Sequence, residues 1–331
     1  MPIIIKVMNK LNISAFTIFL LTSAVASAQN ESPDSVSLSQ PQLYVERDSA
    51  ATVDNSIYID PLFEYVVAPD DLPDLQSRTD YLMDNFWNPF DFKNTAVVDQ
   101  NALNHAFKVY VETMAFASEK KIQDSVNKLL KNIKNNPGLS YQFTKAAEEA
   151  LFGPRAEYWY DNMYIRFLQN LMDQKQISEG KKKRYAAQLN LLQRTAIGQP
   201  LPDFNYTMMD GTVSRFVVDK PYTLVEFTTP GSDDNRYANL KLDISSKIND
   251  MIEDGQLGVK IVLMTENVAP FTCPSKWQAA ISDNASSVMD IRTLPCFYII
   301  DSNNIIVAKN LMVDTAIPIL ESLTNQDSVK K

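Results

Sequence analysis

The chain has 331 residues, of which 45% are hydrophobic and 21% charged, a balance typical of globular proteins with a sizeable core. This length favours two domains. The formal net charge is −9, which argues against nucleic acid as a partner because an acidic surface repels phosphate backbones. The single histidine, His105, excludes a zinc site built from several histidines, and we expect neither a metal nor a cofactor.

Residues 1–28 have the pattern of a signal peptide. Two lysines precede an apolar run over 13–25, and Ala26-Ser27-Ala28 matches the small-residue cleavage pattern. We predict cleavage after Ala28, which would leave Gln29 as the first residue and a net charge of −11, because the segment holds two lysines and no acid. The apolar run is too short to span a membrane, and no cysteine follows it for lipid attachment. We therefore expect an exported protein without a membrane anchor after cleavage.

The next two regions differ in how much apolar surface they can bury. Residues 29–57 are rich in Ser, Asp, Gln and Pro, and this composition predicts a flexible linker. Residues 58–197 are predicted to form an all-helical domain, because their apolar residues recur at helical spacing without strand-like alternation. Helices are predicted at about 75–87, 99–118, 122–133, 140–151, 156–172 and 178–196.

The pattern changes after Gly198, and residues 198–331 are predicted to form an α/β domain with a central mixed sheet flanked by helices. Asp210-Gly211 is a strong hairpin signal. After it we predict a strand (222–228), a helix (233–252), a strand (259–264), a helix (274–282), two strands (296–301 and 305–309) and a helix (315–323). This order of elements is that of a thioredoxin fold.

Both parts of the chain resemble known families. The segments "GQPLPDF", "TLVEF", "TLPCFYIID" and "NNIIVAKN" resemble the exported TlpA/ResA-like branch of thioredoxin-fold proteins. The segments "RTDYLMDNFWNPFDF", "RAEYWYDNMYIRFL" and "KKKRYAAQLNLLQRTAIGQPLPDF" resemble an uncharacterised domain that precedes thioredoxin-like domains in exported proteins of gram-negative bacteria. Together these resemblances cover about residues 72–325 and imply a location in the periplasm.

The resemblance also assigns the positions of a redox site. In the TlpA/ResA-like branch, the strand leads to a turn with the pattern Trp-Cys-x-x-Cys and a following basic residue. Aligned on that pattern, Ser232 and Asn235 occupy the two cysteine positions and Arg236 the basic position, so both nucleophile positions are vacant. Glu226 stands where many thioredoxins carry a buried acid that assists the second cysteine. Burial would raise the pKa of Glu226, whereas a solvent-facing edge position is the alternative.

The same segment keeps other features of the family. Ser232 can cap the predicted helix 233–252, and its two acidic residues at 233 and 234 suit the first turn because they interact favourably with the helix dipole. Pro295 matches the family's cis proline. The resemblance implies that Leu294 and Pro295 form an edge that pairs with an extended peptide like an added strand, a function that needs no cysteine.

The two cysteines of the chain, Cys273 and Cys296, lie elsewhere. Cys296 enters a strongly apolar strand, and Cys273 precedes Pro274, which suits the first turn of a helix whose dipole would lie behind the thiol. Three arrangements remain open: a structural disulfide between the two cysteines, free inert thiols, or a redox-active thiol at Cys273.

These observations predict a redox-degenerate binding or assembly module in the cell envelope. Its partner would be an envelope protein or peptide, docked at the Leu294–Pro295 edge or on the helical domain. The alternative is a thiol-disulfide oxidoreductase or peroxidase that uses Cys273 and Cys296 as displaced cysteines.

Overall fold

The computed structural model describes residues 60–93, 98–154, 156, 158–265 and 271–329. The predicted signal peptide (1–28) and linker (29–57) lie outside these residues. In the described part, the chain forms ten helices and a seven-stranded mixed sheet. Among the residues that the structure describes, every helix is too short or too polar to span a membrane.

Six helices form the first part of the structure and confirm the prediction of an all-helical region before the sheet. They are α1 (Leu75–Asn85), α2 (Gln100–Met114), α3 (Glu119–Ile133), α4 (Pro137–Leu151), α5 (Asp161–Met172) and α6 (Glu179–Arg194). Polar caps set several of their starts. Asp74, Asp99 and Asn136 each accept a hydrogen bond from the backbone N–H three residues on, at 2.7, 2.8 and 3.1 Å. The helices enclose a core rich in aromatic side chains, including Trp87, Phe107 and Phe143.

The second part begins with the predicted hairpin, formed by β1 (Tyr206–Met208) and β2 (Val213–Ser214). Gly211 has φ +86° in its turn, a conformation that glycine adopts without steric cost. The boundary that we predict between residues 197 and 198 lies in the connection from α6 to β1.

The sheet continues through β3 (Tyr222–Thr228), β4 (Leu257–Leu263), β5 (Gln278–Ile281), β6 (Cys296–Asp301) and β7 (Ile306–Leu311). Its strand order is β2-β1-β5-β4-β3-β6-β7. Strand β3 pairs in parallel with β4 and antiparallel with β6, with Phe227 opposite Cys296. The carboxyl end of β3 and the amino end of β6 therefore lie at the same end of the sheet.

The prediction of one helix over 233–252 is wrong, because the structure divides it into α7 (Asp233–Ile244) and α8 (Ser246–Glu253). Ser245 adopts an extended conformation, and its hydroxyl accepts a hydrogen bond from the backbone N–H of Ile248 at 3.4 Å. A serine side chain that bonds to a nearby backbone group competes with helix continuation and starts a new helix instead.

The predicted helix at 274–282 is also wrong. Residues 274–277 form a turn, closed by the backbone hydrogen bond from Trp277 N–H to the Pro274 carbonyl at 2.9 Å, and β5 follows. Ala279, Ala280 and Ile281 are buried between β1 and β4. A short apolar run fits either a buried strand or a helix, and here the unfilled place in the sheet decides. Two further helices complete the fold, α9 (Ala285–Val288) and α10 (Val313–Val329), of which α10 packs on β6 and α7.

Candidate functional site

The start of α7 is a closed polar turn. Gly231 has φ +84°, and Ser232 follows it as the N-cap, accepting a hydrogen bond on its Oγ from the backbone N–H of Asn235 at 3.1 Å. The guanidinium of Arg236 donates to the Gly231 carbonyl at 2.9 Å and forms an ion pair with Asp233. The turn is therefore stabilised by hydrogen bonds that involve hydroxyl, amide and guanidinium groups and by an ion pair.

Asn235 connects α7 to the central strand. Its side chain is buried and donates from Nδ2 to Glu226 Oε1 at 2.7 Å. Glu226 is completely buried on β3, which excludes the solvent-facing alternative. Burial raises the pKa of Glu226 to about 7, while the Asn235 amide and, more weakly, the Thr228 hydroxyl lower it. The position that the resemblance assigns to the second cysteine thus holds an amide bonded to the buried acid.

The segment before β6 faces the same end of the sheet. The peptide bond between Leu294 and Pro295 is cis, and Leu294 is exposed over 36% of its surface. Since Cys296 lies opposite Phe227, this segment and the turn at Gly231 are at the same end of adjacent strands. The structure thus brings the sequence-predicted edge and the start of α7 to one end of the domain.

Both cysteines are free thiols in environments that oppose ionisation. Cys296 is buried, and its Sγ is 3.2 Å from Asn310 Oδ1. Burial and the nearby Asp290 carboxylate raise the pKa of Cys296 to about 12. Burial also raises the pKa of the partly buried Cys273. The prediction that a helix dipole lies behind Cys273 is wrong, because a turn and β5 follow Pro274.

A buried group of four charged side chains lies beside this end of the sheet. Arg292 donates to Asp290 through Nε at 3.0 Å and through Nη2 at 2.8 Å, and to Asp161, the first residue of α5, at 2.5 Å. Lys309 Nζ lies 2.7 Å from both carboxylates. Burial alone would raise the pKa of Asp290, but Lys309 and Arg292 together lower it below its ordinary value. We call Asp161, Asp290, Arg292 and Lys309 the charge quartet.

Sequence reasoning missed the charge quartet. The local signal was present, because Asp290 and Arg292 interrupt a mostly apolar stretch shortly before Pro295. Their partner in α5 is 131 positions away from Arg292 in the sequence, so no spacing rule connects them. Buried charges require partners. This rule alone suggests that Asp290 and Arg292 pair with each other and with further charged side chains nearby.

The described residues contain no group of three or more His, Cys, Asp or Glu side chains arranged to hold a metal ion. His105, the residue through which any histidine-dependent catalysis would have to pass, lies in α2, and its Nδ1 is 3.0 Å from the hydroxyl of Tyr65. This histidine belongs to the helical part, whereas Ser232 and Leu294 belong to the sheet part.

Comparisons with known proteins agree with this architecture. A family model described as a domain of unknown function (DUF5106) matches residues 25–195, just over half of the chain. No curated protein matches the chain significantly. A thioredoxin-like protein from Bacteroides caccae matches with a TM-score of 0.66 and 18% identity, over 78% of this chain and 98% of its own. The helical part and the sheet part each make up less than half of the chain, so a match over 78% of it includes both.

Two other solved structures match a smaller share of the chain. One is a conserved protein of unknown function from Bacteroides fragilis, with 22% identity and a TM-score of 0.36, over 38% of this chain and 98% of its own. The other is the thioredoxin domain of a thiol-disulfide oxidoreductase from Bacteroides vulgatus, with 19% identity and a TM-score of 0.31, over 39% of this chain and 97% of its own. Because the Bacteroides caccae protein is only 18% identical to this chain, its similarity establishes a thioredoxin-like fold and nothing more.

Proposed function

We propose that this chain has a binding function. Through residues 25–195 the chain belongs to the DUF5106 family of domains of unknown function. The chain acts after export, in the periplasm, as a thioredoxin-fold module that binds a peptide or protein partner of the cell envelope. It carries no thiol-disulfide chemistry at the start of α7. The docking place is the edge formed by Leu294 and Pro295.

The observation that carries the proposal is the hydrogen bond between Asn235 and Glu226. Thiol-disulfide exchange needs a thiolate at the helix start and a second thiol that resolves the mixed disulfide. The hydroxyl of Ser232 is used as a helix cap, and the amide of Asn235 is used by the buried acid. Neither side chain is redox active, and both are held by bonds that support the scaffold.

The exposed segment at Leu294 supports docking at this edge. It lies at the end of the sheet where β3 ends and β6 begins, and its leucine presents an apolar side chain to solvent. An extended segment that adds to such an edge gains affinity from main-chain hydrogen bonds and specificity from side-chain pockets. The acidic net charge of the chain is consistent with a protein partner and opposes a nucleic acid.

The alternative, redox chemistry by displaced cysteines, has less support. An attacking thiol is most effective when its pKa is near the ambient pH. Burial shifts the pKa of both Cys273 and Cys296 upward, and Cys296 is inaccessible.

Two assays on the purified chain test the proposal. In the first, reduction of insulin by dithiothreitol is followed with and without the protein, and we expect no acceleration. In the second, binding of reduced and carboxymethylated α-lactalbumin, a permanently unfolded chain, is measured by fluorescence polarisation. We expect saturable binding that Leu294→Asp weakens, because the carboxylate is costly to bury against an apolar partner.

Leu240→Asp is the matched control for the binding assay. Leu240 is exposed over 59% of its surface on α7, so its substitution changes charge equally without touching the proposed edge. Equal weakening by both substitutions would contradict docking at Leu294. Insulin reduction that disappears in Cys273→Ser would overturn the binding function in favour of the displaced-cysteine alternative.

A further inference from the structure

The charge quartet joins the helical part to the segment that carries Leu294. Asp161 begins α5 in the helical part, whereas Asp290, Arg292 and Lys309 belong to the sheet part. The side chains of these three are exposed over only 1%, 3% and 7% of their surfaces, and that of Asp161 over 24%. The contact is therefore largely shielded from water. Charges in such surroundings interact more strongly than in water, so the ion pairs depend on one another.

The quartet is electrically balanced, with two carboxylates and two cations. Removing one member of a buried ion pair leaves an uncompensated charge, and this is far more costly than removing an exposed charge. Each member consequently depends on the other three. Asp161 is the member that the helical part supplies, and it contacts both Arg292 and Lys309.

Aromatic side chains of the helical part pack against the Arg292 guanidinium. Its central carbon lies 4.7 Å from the ring centre of Phe152 and 5.3 Å from that of Trp159. Phe152 in turn stacks on Tyr164 of α5, with ring centres 5.1 Å apart. A guanidinium placed over aromatic faces gains cation–π attraction in addition to its ion pairs. Arg292 is thus held by the helical part through both its charge and its planar shape.

Asp290, two residues before Arg292, is held by further bonds within the sheet part. The Tyr298 hydroxyl donates to the Asp290 carbonyl at 2.6 Å, and Asn310 Nδ2 donates to Asp290 Oδ2 at 2.9 Å. Strand β6 begins at Cys296, so only residues 293–295 connect the anchored Arg292 to the sheet. Leu294 lies two residues from Arg292, within about 8 Å along the chain. Its position is limited by the anchored Arg292 on one side and by β6 on the other.

We propose that Asp161 is a positioning residue for the docking edge. Acting through Arg292, the helical part holds residues 293–295 in the conformation that binds the partner, so affinity at Leu294 depends on a residue that lies outside the thioredoxin-like part. This inference rests on the proposed function for its effect on binding. Its structural half, the hold on residues 293–295, stands apart from that function.

The test is Asp161→Asn in the full chain, measured by hydrogen exchange over residues 290–298 and by binding of reduced and carboxymethylated α-lactalbumin. The substitution leaves two cations facing one carboxylate. We expect exchange in this segment to accelerate about tenfold or more while α2 and α4 are unchanged, together with a comparable loss of affinity. Asp80→Asn is the control, because Asp80 is a carboxylate of the helical part that bonds Ser118, away from the quartet.

A second variant guards against simple misfolding. Asp161→Asn combined with Lys309→Met restores electrical balance, leaving Arg292 paired with Asp290, and we expect it to recover much of the protection and the affinity. Unchanged exchange in Asp161→Asn would overturn the inference, as would equal acceleration in Asp80→Asn. If the unsubstituted chain fails to bind the probe, the proposed function fails, and the exchange measurements alone decide whether Asp161 holds the segment.

Discussion

Replacement of Glu226 by glutamine should make the protein progressively more stable, relative to the unsubstituted chain, as pH rises. Glu226 is completely buried on β3, where its Oε1 accepts the hydrogen bond from Asn235. Glutamine keeps an oxygen for this bond and has nearly the same shape. It removes the ionisation and also replaces Oε2, which has no hydrogen-bond partner among the described residues, with an amide Nε2 that needs an acceptor. The second change does not depend on pH, so the pH-dependent part of the stability difference reports the free energy required to charge a buried carboxyl.

The magnitude follows from the pKa of Glu226, which burial raises from 4.5 to about 7. A raised pKa means that the folded protein binds more protons than the unfolded chain between these two values, so stability falls as pH rises through this window. The contribution is fully present below pH 4.5 and is lost above pH 7. At about 1.4 kcal/mol per pKa unit, the loss amounts to roughly 3 kcal/mol.

Urea unfolding of both proteins between pH 4 and pH 8.5 checks this expectation. Between pH 4 and pH 8.5, the difference in the free energy of unfolding should shift in favour of the glutamine variant by roughly 3 kcal/mol. Glu253→Gln, an exposed carboxylate in α8, provides a control that should show no comparable trend. A constant difference between the parent and Glu226→Gln over the whole range would refute the reasoning, because it would mean that Glu226 does not titrate differently in the folded state.

Four further substitutions or measurements follow from the site. Ser232→Ala should lower the free energy of unfolding by about 1 kcal/mol in urea titrations, through loss of the helix cap. Asn235→Ala should cost about 1–3 kcal/mol at pH 5, because Glu226 Oε1 loses its buried donor. Asp290→Asn should cost about 3–5 kcal/mol, because it leaves Arg292 and Lys309 with one carboxylate. The Cys296 thiol should react with Ellman's reagent at pH 8 only after denaturation, since it is buried and its pKa is about 12.

The sequence predicts the fold well where local signals and tertiary packing agree. The six helices before Gly198 have apolar faces at helical spacing, and the hairpin has Asp210-Gly211 in its turn. The errors at Ser245 and at 274–282 arise where the local pattern allows two structures. At 278–281, the partners that select a strand are β1 and β4, which are distant in sequence. Only the assembled sheet supplies that information.

The candidate site divides in the same way. Ser232, Asn235 and Glu226 can be located from the sequence through its resemblance to the TlpA/ResA-like pattern. The hydrogen bond from the Asn235 amide to Glu226 depends on how the side chains of β3 and α7 meet. The spacing of residues in the sequence does not specify this geometry. The charge quartet is farther from prediction, because it joins α5 to the segment before β6 across the two parts of the chain.

These two buried polar groups also respond differently to pH, and this difference bears on the proposed binding function. In the quartet each carboxylate faces cations, and despite burial Lys309 and Arg292 lower the pKa of Asp290, so the Asp290 carboxylate stays ionised at neutral pH. Glu226 instead changes its charge near pH 7 beneath the start of α7. The contribution of Glu226 to stability should therefore decline as pH rises from 4.5 to about 7, while the Asp290 carboxylate stays charged. In the arrangement that we propose, a partner that docks at Leu294 meets an edge held by the quartet, whereas a partner that reaches the start of α7 meets a region whose buried acid changes protonation near pH 7.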